Sequence, residues 1–416
     1  MRQLSAHSVW LLCVVLASCA VTHPGEEAFQ RGEHVLAAEE GHPQAQWLVG
    51  NAYARGDGVV QDPGEAVRWY RLAAEQDHGA SLYELGVAYQ LGRGVLPSML
   101  EAGRWFRKGA EAGDAAAQYE FGRLCLQGRW VRGDVRKGAR WLRRSAESGN
   151  VDAQAALAYL YHVGVGVGAR NEGKAQEWLE KAAQQGHLAS QSGLGRAYAR
   201  GWGVLRDDER AVHWWRLAAR AGDPDAQANL ASMYASGRGV DRDMEAALGF
   251  LWQAAGSGHA DALFRLGLLY LEGQEVVRDH GVALNFLLAA VELEHAGAEN
   301  AVGAMYAGGR GLDQNLKRAM RWFKRAARRG HARGQLNMGT LYAHGLGAAR
   351  DAAKAAHWYK LAAEQGEALA QARLAEMYAE GRGVEQDDLE ADRWRTKAQQ
   401  AADSTPTLIE VPAAAE

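Results

Sequence analysis

The chain repeats itself every 36 residues, and this period constrains its fold more than any other feature of the sequence. A small residue returns ten times, and every interval is 36 residues except one of 37. These residues are Gly50, Gly86, Gly122, Ala158, Gly195, Ala231, Gly267, Gly303, Gly339 and Ala375. A fixed period of this length indicates a repeat architecture, in which each unit packs only against its neighbours. Such stacking lets 416 residues fold without one large core.

Each repeat carries the signals of a first helix and its end. An aromatic residue lies three positions after the small one in nine copies, with Cys125 as the exception: Tyr53, Tyr89, Tyr161, Tyr198, Tyr234, Tyr270, Tyr306, Tyr342 and Tyr378. Glycine lies six positions after the small residue: Gly56, Gly92, Gly128, Gly164, Gly201, Gly237, Gly273, Gly309, Gly345 and Gly381. Glycine tolerates the positive φ at which helices commonly end. We expect the first helix to end there.

A second helix follows in each repeat. Its predicted N-caps lie about six residues after the glycine: Asp62, Asp134, Asn171, Asp207, Asp243, Asp279, Asn315, Asp351 and Asp387. Its interior carries a large aromatic residue: Trp69, Trp105, Trp141, Trp178, Trp214, Phe250, Phe286, Trp322, Trp358 and Trp394. Small pairs such as Ala73-Ala74 follow four and five residues later. Large and small side chains in this alternation let neighbouring helices interlock.

The pattern predicts an all-α fold, an α/α right-handed solenoid of about ten 36-residue helix-turn-helix repeats over residues 45–401. Residues 26–44 are predicted to form a capping half-repeat helix, because Ala37-Ala38 lie one period before Ala73-Ala74. Residues 402–416 have no apolar period and are predicted to be a disordered tail. Cys125 and Trp130 in repeat three and the insertion in repeat four are the expected irregularities.

The repeat resembles the Sel-one-like repeat family, a relative of the tetratricopeptide repeats. The resemblance covers residues 26 to about 401, and segments such as Leu48 to Gly58 and Ala66 to Ala74 carry it. This family is defined by its architecture and not by a reaction, so the resemblance implies a fold and no particular chemistry.

The N-terminus has the features of an export signal. An apolar stretch from Val9 to Ala17 is too short to cross a bilayer but suits a signal-peptide core. Leu16-Ala17-Ser18-Cys19 resembles a bacterial lipobox, which predicts a signal peptide over residues 1–18, lipidation of Cys19 and a linker over 19–25. Two alternatives remain open: plain secretion with cleavage after Ala20, and an apolar Cys19 that is merely part of the leader.

The predicted location and covalent chemistry follow from these residues. Ala20 lacks the aspartate that often retains lipoproteins at the inner membrane, which favours the periplasmic side of the outer membrane. Cys13 would leave with the leader, so Cys125 is the cysteine left inside the fold. One cysteine cannot form an internal disulfide, and stability must come from packing.

Charge and motifs argue against several functions. The net charge is -3 and no long basic run occurs, so nucleic acid is not an expected partner. The histidines that open the repeats lie a full repeat apart, too far to share a metal ion, so we expect turn or cap roles and no metal or other cofactor. The chain also contains no Ser-x-x-Lys motif. A β-lactamase-like hydrolase, described for cysteine-rich members of the similar family, is therefore the least favoured hypothesis.

Recognition is expected at first-helix positions that change from copy to copy, two before and one after the small residue. The predicted concave binding surface contains Glu84, Glu120, Asn229, Arg265, Asn337 and Arg373, and on the next turn Asn51, Arg123, Arg196, Ser232, Thr340 and Glu376. An ordinary solvated helix surface is the alternative for each of them. Their spacing suits an extended peptide or protein segment.

The leading hypothesis is a non-enzymatic, monomeric scaffold or adaptor for other envelope proteins, held at the outer membrane by lipid. The alternative is a secreted or surface-exposed repeat protein that binds host or competitor proteins. Both hypotheses rest on the repeat architecture, and they differ in whether Cys19 carries lipid.

Overall fold

A computed structural model describes residues 34–128, 133–273 and 275–404, and within these ranges the regular secondary structure is entirely helical. Cys19, the predicted signal peptide and linker, Trp130, and residues 405–416 of the predicted tail lie outside them. The chain divides into two compact units, one ending at Arg206 and one beginning at Asp207. None of the helices in the described ranges is long and apolar enough to span a membrane.

A short helix, α1, covers residues 34–39 and precedes ten helix pairs. The first helices are α2 Pro43–Arg55, α4 Gly79–Leu91, α6 Ala115–Gln127, α8 Val151–Val163, α10 Leu188–Arg200, α12 Pro224–Ser236, α14 Ala260–Glu272, α16 Ala296–Gly308, α18 Ala332–His344 and α20 Ala368–Glu380. The second helices are α3 Pro63–Ala74, α5 Met99–Glu111, α7 Val135–Glu147, α9 Glu172–Gln184, α11 Asp208–Arg220, α13 Met244–Gly256, α15 His280–Glu292, α17 Leu316–Arg328, α19 Ala352–Glu364 and α21 Asp388–Ser404.

Each first helix ends as its glycine predicts. All ten glycines have a positive φ, for example 79° at Gly56 and 70° at Gly92. The amide of Gly56 donates to the carbonyl of Ala52, which closes the last turn of α2. The prediction of the first-helix boundary is therefore confirmed. Glycine suits this position because a side chain at these φ values would cost conformational energy.

Side-chain caps begin the second helices. The carboxylate of Asp62 accepts hydrogen bonds from the amides of Gly64 and Glu65 at 2.8 and 3.1 Å, and the other predicted Asp and Asn residues act in the same way. Repeat two, which lacks an acidic residue or asparagine here, uses the hydroxyl of Ser98 instead. All ten second helices thus begin at a capping side chain.

The two helices of a repeat interlock where the recurring glycine meets a large side chain. A Cβ atom added at Gly86 would lie 2.4 Å from the Phe106 ring, and one at Gly50 would lie 2.5 Å from Tyr70. The large residue is thus the one directly after the recurring tryptophan.

Successive repeats are joined by buried glutamines on the first helices. Gln118 Nε2 donates to the carbonyl of Ala110 at 3.3 Å, across the junction between α6 and α5. The same bond recurs at Gln46, Gln154, Gln191, Gln227, Gln335 and Gln371. Each of these carbonyls also accepts a backbone amide, so the glutamine adds a second donor, and this donor ties one repeat to the helix before it.

The first repeat is covered on one side by α1. Ala37 and Ala38 are buried there against Ala45 and Val49 of α2. Cys125, which replaces the recurring tyrosine, is buried in the core of repeat three beside Leu124. Burial raises the pKa of its thiol, so the thiolate needed for reactivity is disfavoured.

Candidate binding surface on the first helices

First helices of neighbouring repeats contact one another within each unit. In the first unit α4 contacts α6, and in the second unit α16 contacts both α14 and α18. Their polar side chains therefore lie side by side. Asn337 Nδ2 donates to Asn300 Oδ1 at 2.9 Å between α18 and α16. Arg265 likewise donates to the Ser232 hydroxyl between α14 and α12. Arg265 and Asn337 thus lie where first helices of neighbouring repeats in the second unit meet.

In the first unit, Glu84, Glu120 and Arg123 are half-buried and Arg196 is exposed. Arg123 Nη2 lies 2.6 Å from Glu120 Oε2, so these two side chains neutralise each other. Glu84 makes no hydrogen bond within the described residues. Burial raises the pKa of its carboxyl, and the charges of Arg55 and Arg93 act in the opposite direction. Glu84 is therefore a partly desolvated acid with unused acceptors.

In the second unit, most of the candidate residues already have partners. Arg373 Nη1 lies 3.1 Å from Glu376 Oε2, and both side chains are exposed. Arg265 and Asn337 are bonded to the neighbouring first helix. Asn229 is half-buried and makes no side-chain hydrogen bond within the described part of the chain.

Two of the candidates one position after the small residue, Asn51 and Thr340, support the repeats themselves. Tyr70 donates its hydroxyl to Asn51 Oδ1 at 2.8 Å. Tyr359 donates to the Thr340 hydroxyl at 3.3 Å. Burial is the main cause that raises the pKa of both tyrosines, so they remain neutral donors. Of the predicted surface, Glu84, Arg196 and Asn229 have hydrogen-bonding capacity that the described residues do not use.

Five of the six repeat-opening histidines cap the first helices as predicted, whereas His42 makes no side-chain cap. His259 Nδ1 accepts from the amide of Ala262 at 3.1 Å, while its Nε2 lies 3.0 Å from Asp225 Oδ1. The ring is therefore neutral with its proton on Nε2. The Nδ1 bond recurs at His78, His187, His295 and His331. In the described ranges, His, Cys, Asp and Glu side chains form no group of three suited to a metal ion.

A family model for the Sel1 repeat matches ten successive segments, from residues 43–78 to residues 368–398. These are the Sel-one-like repeats expected from the sequence. A search of curated proteins finds no match.

Two solved structures are similar to this chain. A protective antigen of uropathogenic Escherichia coli with an SLR fold shares 30% identity over 90% of this chain and 89% of its own, with a TM-score of 0.65. A Sel1 repeat protein from Oxalobacter formigenes shares 36% identity over 72% of this chain and 87% of its own, with a TM-score of 0.57. With ten matched repeats and these relatives, the chain belongs to the Sel1 repeat family and has its α/α solenoid fold.

Proposed function

We propose that this protein is a non-enzymatic scaffold of the bacterial cell envelope, which holds partner proteins on its first-helix face. Sel1 repeat proteins generally act as scaffolds for protein–protein interaction, and their solenoid is typically non-enzymatic. The envelope location, the lipid anchor and a monomeric state are the further parts of the proposal.

The proposal rests on a difference between two sets of first-helix residues: the recurring ones hold the fold, and some of the variable ones have unused hydrogen-bonding groups. The recurring residues pack the helices together, cap their ends or form the glutamine hydrogen bonds, as Gly86 and Gln118 do. Glu84, Arg196 and Asn229 vary between repeats and have unused donors or acceptors. Such groups on a face of contacting helices can bind the polar backbone and side chains of an extended segment, which is how we expect a partner to be held.

The lipid anchor is supported by the sequence around Cys19, where small residues precede the cysteine. The relative from Escherichia coli is described as a protective antigen, which agrees with an exported protein. Acylation of Cys19 would place the repeats beside the membrane without any spanning helix. We therefore expect the periplasmic face of the outer membrane, with a free secreted chain as the alternative.

The location is tested by mass spectrometry of the mature N-terminus and by membrane fractionation. A diacylated or triacylated Cys19 supports the anchor, whereas an unmodified N-terminus at Val21 indicates release. Cys19→Ser should move the protein to the soluble fraction, with Cys125→Ser as the matched control that leaves it in the membrane. Unchanged membrane association of Cys19→Ser would rule out the anchor.

The binding face is tested by photo-crosslinking in intact envelopes, with a crosslinking residue placed at Glu84, Arg196 or Asn229. Lys360, which is exposed on the second helix α19, is the control position. We expect discrete crosslinked protein partners from the first three positions, and their loss after charge reversal of Glu84 and Arg196. Identical crosslinking from Lys360, or none from all three first-helix positions, would contradict the proposed face.

A further inference from the structure

One position on the second helices, charged in most repeats, is apolar in repeats six and seven. The residue two positions after the recurring aromatic is charged in seven of the eight other repeats: Arg71, Arg107, Arg143, Glu180, Arg216, Lys324 and Lys360, with Thr396 in the last. In repeats six and seven it is Trp252 and Leu288. These side chains are 48% and 37% exposed. Two apolar side chains thus occupy sites where seven other repeats place a charged residue, which in four of them is hydrogen-bonded to the tyrosine 18 residues later.

Trp252 and Leu288 hold equivalent positions in successive repeats, so they lie on the same side of the second helices. Trp252 on α13 makes an edge contact with Phe286 on α15, with ring centroids 5.0 Å apart. No charged residue occurs from Ala246 to Gly256 or from Gly281 to Val291. A Cβ added at Gly249, one turn before Trp252, would have no neighbour within 4 Å among the described residues, so their packing does not require a glycine there. We call Gly249, Trp252, Phe286 and Leu288 the outer patch.

Cations border the outer patch on both sides. On α17, Lys317, Arg321, Lys324 and Arg328 follow one another at intervals of four, three and four residues, which places them on one helix face. All four are exposed, and none has an ion-pair partner among the described residues. On α11, Arg216 and Arg220 are exposed as well. The patch is therefore apolar at its centre and positive at its edges.

We propose that the outer patch docks an amphipathic α-helix of a protein partner, with acidic residues beside its apolar face. The apolar face would cover Trp252 and Leu288, and the acidic residues would meet the cations of α17. The bare backbone at Gly249 allows a helix to approach α13 closely. This surface lies on the second helices, so the inference does not depend on the first-helix face.

The charges decide between this occupant and a second copy of the chain. If two copies paired through their outer patches, α17 of one copy would lie against α11 or α17 of the other. Both helices carry cations there, and like charges at an interface oppose association. An acidic helix instead pairs with these cations. Apolar residues at the centre and charged residues at the rim are the usual arrangement of a protein interface.

The test uses the full chain carrying Cys19→Ser, so that no lipid contributes, and a labelled synthetic helix with leucine on one face and glutamate beside it. Fluorescence anisotropy should show binding with a dissociation constant below about 1 mM. Trp252→Arg should weaken binding at least about tenfold. This change should fold normally, since arginine occupies the same position in repeats one, two, three and five. Lys324→Glu should weaken binding and reduce its salt dependence.

The matched control is Leu100→Arg, which replaces another exposed apolar residue, 52% exposed, on second helix α5. It should leave binding unchanged, and a peptide with lysine in place of glutamate should bind more weakly. The proposal is overturned if the acidic peptide does not bind, or if Trp252→Arg binds it as the parent does. It is also overturned if Trp252→Arg instead abolishes flotation with anionic phosphatidylglycerol vesicles, or abolishes a dimer seen by analytical ultracentrifugation.

Discussion

Arg325 holds the fully buried carboxylate of Glu299, with Arg325 Nη2 2.9 Å from Glu299 Oε1. Seven other repeats have glutamine at the position of Glu299, where the side-chain amide donates to a carbonyl eight residues earlier. A carboxylate cannot make that bond, and Arg325 and Arg329 supply its donors instead. The second oxygen of Glu299 has no hydrogen-bond partner among the described residues. Repeat eight therefore replaces a neutral bond by an ion pair.

Removing the guanidinium of Arg325 should destabilise repeat eight more than neutralising the carboxylate of Glu299. Arg325→Met should cost about 2 kcal/mol, below the usual cost for a fully buried pair because Arg325 is half exposed and Arg329 remains. Glu299→Gln restores the amide of the other repeats and should change stability by less than about 1 kcal/mol. Hydrogen exchange of the α16 and α17 amides measures both. Equal losses in the two variants would contradict this account.

Gly86→Ala should destabilise repeat two by about 1–3 kcal/mol, because the new methyl group overlaps the buried Phe106 ring. Repeats four, six and ten carry alanine at this position, and there the residue after the recurring aromatic is Leu179, Leu251 or Arg395 and has no ring. Phe106→Leu should therefore recover part of the loss when combined with Gly86→Ala. A double-mutant cycle by chemical unfolding checks the coupling. Additive effects would show that the two residues do not compensate each other.

Acid should weaken the junction before α18 through His331. Burial, followed by the charges of His295 and Arg333, lowers the pKa of His331 below its ordinary 6.5. The neutral ring caps α18, so its contribution is present above pH 6.5 and is lost as the pH falls through the lowered value. Hydrogen exchange of the Gly334 amide at pH 8 and pH 5 measures the loss. His331→Asn keeps a cap without this titration, and an unchanged pH dependence in that variant would refute the role of His331.

Asp77→Gly should stabilise the junction between repeats one and two by about 0.5–1 kcal/mol. Asp77 has a φ of 56°, whereas most repeats place glycine with a positive φ at this site. Glycine takes this conformation without steric cost. The reverse change at the equivalent position, Gly113→Asp, should destabilise repeat three. Urea unfolding of both variants checks the pair, and a destabilised Asp77→Gly would show that the carboxylate matters more than the backbone.

The sequence by itself determined the repeat number, the helix ends and the caps. Gly56 and Asp62 act on backbone groups within a few residues of themselves, so local spacing in the sequence is enough to predict their capping roles. The cap role of the histidines followed in the same way. Local chemistry of this kind is repeated ten times, which is why the family and its fold could be recognised before the structure was considered.

Only the tertiary structure decided which side chains meet across helices and which remain available for binding. Tyr70, and not the recurring Trp69, fills the space at Gly50, because successive residues of a helix point about 100° apart. Arg265 has a partner in Ser232, 33 residues away, whereas Arg196, one position after the small residue of its repeat, has none within the described chain. Such pairings depend on neighbours a full repeat distant in the sequence, and their positions are set by helix packing rather than by local spacing.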